Sequence, residues 1–267
     1  MMTFGFIGAG NMGGALARAV AKSVDPANIT LSDAFKEKAE ELAAALGAKA
    51  DKAEAVAEKC DFIFLGVKPQ VMAAMLAQIS PVLKARKDKF VLVSMAAGVA
   101  IADIRRMVGS DYPVIRIMPN IPASVGEGVI LFDTTDNVSE EDVAVFQKAM
   151  AGAGLVDRLP EKLIDAGSAL SGCGPAFVSL FIEALADGAV ACGLPRDKAM
   201  VYAAATMEGS ARMFLESKAH PGALKDAVCS PGGSTIAGIR VLEDKGFRSA
   251  AMECVVAAFK KNKELGK

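Results

Sequence analysis

Short apolar runs alternate with amphipathic stretches through the first 160 residues of the chain. The apolar runs read as buried strands, and they lie at Thr3–Gly8, Ile29–Ser32, Asp61–Gly66, Phe90–Ser94, Val114–Met118 and Gly128–Phe132, with Leu155–Leu159 as a last edge strand. The stretches between them favour helices, at Met12–Lys22, Lys36–Leu46, Asp51–Cys60, Val71–Leu83, Ile101–Val108 and from a Ser139 cap to Met150. This alternation predicts βαβ units and a mostly parallel, doubly wound sheet.

The pattern changes at Pro160, after which strand signals almost vanish. Helices are predicted at Pro175–Ala191, Pro195–Ser217, Leu224–Cys229 and Phe247–Leu265, with one more opened by Ser230–Thr235. We therefore predict an α/β chain with a Rossmann-like domain at residues 1–160 and an all-helical domain at residues 161–267. The later helices are rich in alanine on several faces, which favours burial against a second copy of the chain. A compact monomeric helical domain is the alternative.

The composition of the chain argues against several classes of function. Of the 267 residues, 52% are apolar and 23% charged, as in a globular protein, and the net charge of −1 gives no electrostatic case for nucleic acid or an anionic membrane. Apolar runs such as Val91–Ala102 are too short to span a bilayer, and no secretory signal is visible at Met1. The five cysteines are scattered without a Cys-x-x-Cys pair, so we expect no disulfide, no metal site and a reducing cytoplasm.

A glycine-rich turn follows the first strand. Gly8-x-Gly10-x-x-Gly13 lies between a strand and a helix, the order that a dinucleotide site requires. Gly8 permits a tight turn, Gly10 lets backbone approach a pyrophosphate, and Gly13 allows close helix–strand packing. The helix N-terminus adds free N–H groups, so the predicted phosphate contacts are Gly8, Ala9, Gly10, Asn11, Met12 and Gly13.

Cofactor preference depends on the end of the second strand. Asp33 lies 20 residues after Gly13, where an acid usually binds the ribose 2′-hydroxyl and repels a 2′-phosphate. Asp33 therefore favours NADH, while Ser32 and Lys36 beside it keep NADPH open. Asp33 can also serve as a helix cap, and both roles can coexist.

Two further strand ends lie on the same predicted edge of the sheet. Gly66, Val67, Lys68 and Pro69 follow a buried strand, and Lys68 is expected to reach a phosphate or a substrate carboxylate, or to be an ordinary solvated lysine. Asn120 follows another strand and is predicted to orient the nicotinamide side of the site, or to be a turn residue.

The helical half contains two loops rich in glycine and hydroxyl groups. Ser171–Pro175 and Ser230–Thr235 each enter a helix, where N–H groups can bind a carboxylate without an arginine, although helix capping is the simpler role for each alone. The single histidine, His220, lies beside Pro221 outside these loops and is expected to be a turn residue. Without a placed base, reduction of an already protonated imine fits better than alcohol oxidation.

These segments together resemble the pyrroline-5-carboxylate reductase family nearly end to end. The matching segments are Phe6–Gly13, Val67–Gln70, Ala96–Gly98, Arg116–Asn120, Leu170–Pro175, His220–Gly222, Leu224–Asp226, Ser230–Ala237 and Gly246–Arg248. The Ser-Pro-Gly-Gly-x-Thr segment from Ser230 to Thr235 is the most specific of them.

The resemblance implies a Rossmann domain, a helical domain that interlocks into a homodimer, often assembled into decamers, and NADPH- or NADH-dependent reduction of 1-pyrroline-5-carboxylate to L-proline. It implies that Ser230, Gly232, Gly233, Ser234 and Thr235 hold the substrate carboxylate and imine, with Thr235 at the ring nitrogen. Cys173 stands where the family often has serine. Asp33 stands where many members have a small or amide residue, and an asparagine common near Ala53 is absent.

Two other functions fit parts of the pattern. A β-hydroxyacid dehydrogenase shares the two-domain plan but needs a catalytic lysine in the first helix of the second domain, and Pro175–Ala191 has none. A dinucleotide sensor or scaffold would bind the cofactor without turnover, and the two polar loops argue against it.

Overall fold

The structure is a computed structural model that describes residues 1–265. Its strands are β1 Phe4–Ile7, β2 Ile29–Ser32, β3 Lys49–Ala50, β4 Phe62–Leu65, β5 Val91–Ser94, β6 Val114–Met118, β7 Gly128–Thr134 and β8 Gly154–Arg158. Its α-helices are α1 Asn11–Val20, α2 Lys36–Leu46, α3 Ala53–Lys59, α4 Pro69–Ala85, α5 Ile101–Val108, α6 Glu140–Met150, α7 Glu161–Ser171, α8 Gly174–Ala191, α9 Arg196–Ser217, α10 Pro221–Ala227, α11 Ser234–Asp244 and α12 Phe247–Leu265.

The eight strands form one sheet in the order β3-β2-β1-β4-β5-β6-β7-β8. All neighbouring strands are parallel except β6 and β7, which are antiparallel. From the centre of the sheet, strands β1 to β3 follow one another toward one edge and strands β4 to β8 toward the other. The direction of winding reverses between β1 and β4, and the carboxyl ends of these two strands form the crevice where doubly wound sheets bind ligands. The predicted doubly wound sheet is confirmed.

Side chains alternate across the strands and build a core on each face of the sheet. Phe4 stacks on Phe62 and Phe6 on Phe64, with ring centroids 5.2 and 4.4 Å apart, because parallel register places each pair side by side. The alternate residues, such as Ile63, pack with helices on the opposite face. Burial on both faces explains why these strands are apolar throughout.

The structure corrects several predicted boundaries. The strand β3 was not predicted, because Lys49 and Ala50 are exposed at the sheet edge and carry no apolar pattern. The helix α4 starts at Pro69, where proline is favoured in a first turn, and continues past Pro81 to Ala85. The helix α10 begins at Pro221, earlier than predicted.

The helix α7 was not predicted from the sequence. The chain divides into one compact unit of residues 1–172 together with the stretch from Phe259, and a second unit, Cys173–Ala258. The helix α7 falls in the first unit, so the compact units divide at 172, whereas the predicted functional boundary at residue 160 stays a prediction.

The helical unit has little interior of its own. Among its described residues, the buried apolar side chains are Ala186, Ala199 and Ala203, through which α8 and α9 pack closely. One segment of the described chain, Glu161–Ala191, is apolar and long enough to cross a membrane by length and composition, with a mean hydropathy of 1.5. That finding corrects the expectation that every apolar run is too short.

Candidate active site

The glycine-rich turn after β1 packs directly against the turn after β4. Gly8 has a φ of +110°, and a Cβ atom built on it would lie 2.4 Å from the Gly66 carbonyl oxygen. A Cβ on Gly13 would lie 2.1 Å from the carbonyl oxygen of Gly8. The tight turn at Gly8 and the close packing at Gly13 are therefore confirmed, and Gly66 is glycine because it meets Gly8.

Gly10 differs from its neighbours because open space lies beside it. A Cβ atom there would meet nothing within 4 Å, and Gly10 caps α1 without a side-chain hydrogen bond. A cavity of about 400 Å³ adjoins this turn, with Ala9, Gly10, Asn11, Arg18 and Lys38 among its lining residues. Uncapped N–H groups beside open space fit the pyrophosphate of a dinucleotide.

The Asp33 carboxylate binds the glycine-rich turn. Its Oδ2 accepts a hydrogen bond from the Ala9 N–H at 2.7 Å, and its Oδ1 accepts from the Phe35 N–H at 3.0 Å. The second bond closes a turn before α2, whose N-cap is Phe35 and has no side-chain cap, so the expected capping of α2 by Asp33 is wrong. Ser32 is buried, whereas Lys36 is exposed and pairs with Glu40 at 2.8 Å. Asp33 thus joins the β2 end to the loop predicted to hold phosphate.

The turn after β4 presents a cation to the same edge of the sheet. Lys68 is the N-cap of α4, it is exposed, and among the described residues it has no ion-pair partner. Val67 is half-buried beside it, and Pro69 begins the helix. Lys68 is therefore available to an anionic ligand.

Asn120 is buried at the end of β6, and both ends of its amide are bonded to backbone. Its Nδ2 donates to the Ser171 carbonyl at 2.9 Å, and its Oδ1 accepts from the Val129 N–H at 2.8 Å. One N–H and one lone pair stay beyond these bonds. The predicted nicotinamide contact is untested and stays a prediction.

The Ser230–Thr235 segment forms a tight turn that opens α11. Gly232 has a φ of +70°, and the Gly233 N–H donates to the Ser230 carbonyl at 3.0 Å. No side chain caps α11, whose N-cap is Gly233, so the amides of its first turn are not occupied by a cap. Ser234 and Thr235 are exposed in that turn, which combines N–H donors with two hydroxyl groups.

The other polar segment, Ser171–Pro175, is not the loop that the sequence predicted. Gly172 and Cys173 both keep right-handed helical angles, so the chain passes from α7 to α8 through a turn that stays close to helical. The carboxylate contact that the sequence suggested for this segment stays a prediction.

Sequence reasoning missed an ionic cluster beside this edge of the sheet. Arg116 is 5% exposed, and its Nη1 donates to Glu161 Oε1 at 3.0 Å while its Nη2 lies 3.5 Å from Asp165 Oδ1. The same Glu161 oxygen accepts from the Ile101 N–H at 2.8 Å. An arginine inside an apolar strand, Val114–Met118, was the available signal.

Comparison with known proteins matches both parts of the chain. Residues 161–265 match the family model described as pyrroline-5-carboxylate reductase dimerisation, and residues 3–98 match NADP oxidoreductase coenzyme F420-dependent. The chain is 42% identical to an Escherichia coli pyrroline-5-carboxylate reductase over 98% of each chain.

Two solved structures are similar along the whole chain. A pyrroline-5-carboxylate reductase from Coxiella burnetii has a TM-score of 0.93 at 30% identity, covering 100% of this chain and 99% of its own. A Plasmodium falciparum pyrroline carboxylate reductase with NADP bound has a TM-score of 0.86 at 33% identity, covering 100% and 98%.

Proposed function

The chain belongs to the pyrroline-5-carboxylate reductase family, and we propose that its active-site residues reduce 1-pyrroline-5-carboxylate to L-proline in the manner set out below. The cofactor is NADPH or NADH, and the reaction is the last step of proline synthesis. The observation that carries the residue assignment is the uncapped first turn of α11, where backbone donors and hydroxyl groups coincide.

The cofactor would be held by residues at the carboxyl ends of β1, β2 and β4. Backbone N–H groups from Gly10 to Gly13 receive the pyrophosphate, and Asp33 faces the adenosine ribose. The N–H groups of Gly8 and Ala9 already donate to Ser32 and Asp33, so these two residues contribute the shape of the turn. Val67, Lys68 and Pro69 line the crevice, with Lys68 available to a phosphate or to the substrate carboxylate. When bound, the nicotinamide supplies the hydride that reduces the C=N bond.

The substrate would be held by the Ser230–Thr235 segment. Amide N–H groups of Ser234 and Thr235 bind the carboxylate, because a helix N-terminus favours negative charge. Ser230, Gly232 and Gly233 form the turn beside it, where the Gly233 N–H donates to the Ser230 carbonyl. The Thr235 hydroxyl hydrogen-bonds the ring nitrogen and orients the imine. The ring nitrogen is already protonated, so hydride arrival at its carbon neutralises the iminium and no protein base has to act. Positioning then supplies most of the catalysis.

The helical unit supports an oligomer. Its match to a dimerisation family and its exposed apolar side chains, Leu180 at 67% and Leu215 at 69% among them, fit a face covered by a second copy. We propose a homodimer that can assemble further into a decamer. We also propose the cytoplasm as its compartment, which five free thiols support.

The test is the initial rate of NAD(P)H oxidation on adding pyrroline-5-carboxylate. We expect Thr235→Ala to lower kcat/KM by roughly 10²-fold, as misplaced substrates do. Thr235→Ser keeps the hydroxyl and should recover most of the rate. Thr206→Ala is the matched control, because within the described part of the chain the Thr206 hydroxyl bonds only the Tyr202 carbonyl of its own helix.

Each outcome decides a different part of the proposal. Undiminished turnover by Thr235→Ala would remove that residue from the mechanism. Cofactor binding by the wild-type protein without any turnover would favour the sensor function instead.

A further inference from the structure

The helical hydrogen-bond ladder loses one donor where α7 meets α8. In an uninterrupted α-helix the Ser171 carbonyl accepts from the N–H of residue 175. Residue 175 is proline, which has no N–H. Because Gly172 and Cys173 keep helical angles, the Ser171 carbonyl still points along the helix toward residue 175. It therefore needs a donor from elsewhere.

Asn120 supplies that donor. Its Nδ2 lies 2.9 Å from the Ser171 carbonyl oxygen, and its Oδ1 accepts from the Val129 N–H at 2.8 Å. With 7% of its surface exposed, the side chain is packed in one orientation. One buried amide thus connects the end of β6, the start of β7 and the last residue of α7.

The other end of α7 is held to the sheet in a similar way. The Glu161 N–H donates to Asp133 Oδ2 at 2.6 Å, and the Glu161 carboxylate binds both Arg116 and the Ile101 N–H. The helix α7 is therefore fixed at its first residue and at its last. The turn that follows is the point at which the chain enters the unit that contains Ser230–Thr235.

We propose that Asn120 is a positioning residue for the reductase: it replaces the amide that Pro175 lacks and thereby fixes the turn from which α8 begins. The inference rests on the proposed function. Asn120 would act on the rate through geometry, because the predicted substrate residues follow this turn in the chain. A displacement of the substrate by about 1 Å can cost about 10²-fold in rate.

Asn120→Asp isolates the bond to Ser171. In its ionised form the carboxylate still accepts from Val129, but its second oxygen faces the Ser171 carbonyl and has no proton to donate. The loss should therefore be larger at higher pH, where the side chain is ionised. We expect kcat/KM for pyrroline-5-carboxylate to fall at least about tenfold. The Kd for NADPH, measured by fluorescence titration without substrate, should change less than about twofold, below 0.5 kcal/mol.

The matched control is Asn137→Asp. Asn137 also donates to a backbone carbonyl, that of Asp111 at 2.7 Å, but it follows the opposite end of β7. The same chemical change there should leave turnover close to wild type. An equal loss in this variant would indicate a general effect of added charge and overturn the proposal.

A second variant restores the missing donor. Pro175→Ala returns an N–H at position 175, so Asn120→Asp/Pro175→Ala should recover turnover relative to Asn120→Asp, with Pro175→Ala alone as the reference. A merely destabilised fold gains nothing from this change. If the double variant recovers no turnover, the proposal is wrong. A loss of NADPH affinity in Asn120→Asp that parallels its loss of turnover would also overturn the proposal, because it would indicate a direct contact with the cofactor.

Hydrogen exchange separates this inference from the proposed function. If the wild-type protein does not reduce pyrroline-5-carboxylate, the proposed function fails, yet the amides of Gly172, Cys173, Gly174 and Ala176 still report on the turn. Faster exchange there in Asn120→Asp than in Asn137→Asp supports the role of Asn120. Equal exchange in the two variants overturns it.

Discussion

Asp33 has a structural role at the glycine-rich turn, and we propose a selective one. Its carboxylate accepts from the N–H groups of Ala9 and Phe35, so it holds the glycine-rich turn in place. A negative charge disfavours a 2′-phosphate nearby. If the adenosine ribose binds beside Asp33 as proposed, this residue also influences the choice between cofactors.

Replacement of Asp33 should change cofactor preference. We expect Asp33→Ser to raise the ratio of kcat/KM for NADPH over that for NADH by about tenfold, about 1.4 kcal/mol, because it removes the repelling charge. Both affinities should fall somewhat, since the bond to Ala9 is lost or weakened. Initial rates with each cofactor give the ratio.

Asp33→Asn separates the loss of charge from the loss of the hydrogen bonds to the glycine-rich turn. It keeps one oxygen for a backbone N–H while removing the charge, so its preference should shift in the same direction. If neither variant favours NADPH, the interpretation of Asp33 as a charge-based selector is wrong.

At the scale of single residues, prediction succeeded where the backbone requires one residue type, as it requires glycine in the turn after β1. Gly8 and Gly13 were predicted from spacing alone, and the contacts with Gly66 and Gly8 confirm the reason. Asn120 was different, because its amide partners lie 51 and 9 residues away along the chain. No local pattern identifies a donor that replaces an amide missing at Pro175.

Among the helices, α6 shows an N-terminus that the sequence predicted and the structure confirms. Ser139 and Asp142 exchange hydrogen bonds in a capping box, and Lys89 Nζ lies 2.5 Å from Asp142 Oδ2. Burial by itself raises the pKa of Asp142, but hydrogen bonds from Lys89 and Ser139 outweigh it and hold that pKa below its ordinary value. The folded state therefore favours the ionised carboxylate.

This depressed pKa gives α6 a pH-dependent contribution to stability. The stabilisation is fully present above the unfolded pKa of about 3.9 and is lost as the pH falls through the lower folded pKa. We expect Asp142→Asn to cost about 1 kcal/mol at pH 7, as lost caps do, and the difference from wild type to shrink toward pH 3. Urea unfolding at each pH measures it.

Glu141→Gln provides the comparison. Glu141 lies in the same first turn but is exposed, so its replacement should change stability by less than about 0.5 kcal/mol at either pH. A cost at Asp142 that is the same at pH 7 and pH 3 would contradict the linkage argument.

The helix α7 marks the limit of prediction for whole elements. Its sequence contains Gly167 and two serines, Ser168 and Ser171, which weaken an intrinsic helix signal. Tertiary contacts make it helical: a Cβ on Gly167 would lie 2.4 Å from Leu131 Cδ1, so glycine lets the helix approach β7 closely. Such contacts are absent from any local window of sequence.

For the whole molecule, we expect stability to depend on association with a second copy of the chain. The helical unit buries only alanines among its described residues, while large apolar side chains such as Leu180 and Tyr202 are exposed. So small an interior supplies little of the burial that offsets conformational entropy. The sequence predicted this dependence from alanine-rich helices, and the match to a dimerisation family supports it.

Unfolding should therefore depend on protein concentration. We expect the urea midpoint to rise when the protein is concentrated, because association stabilises the folded chain by mass action. Leu180→Glu should shift the sedimentation profile toward monomer. Leu155→Glu, at a site 60% exposed on the edge strand of the other unit, should not. A midpoint that is independent of concentration, with a monomeric wild-type protein, would contradict the proposed dimer.

The open helical faces have a genetic consequence. Every copy of the chain presents the same apolar surface, so a catalytically dead copy made in the same cell would associate with normal copies as readily as they do with each other. With equal synthesis of the two, about half of all pairs would be mixed, by the symmetry of a homodimer. A substitution such as Thr235→Ala, which leaves those faces intact, would then place inactive chains in mixed pairs, whereas one that destroys the faces would leave normal copies to pair among themselves.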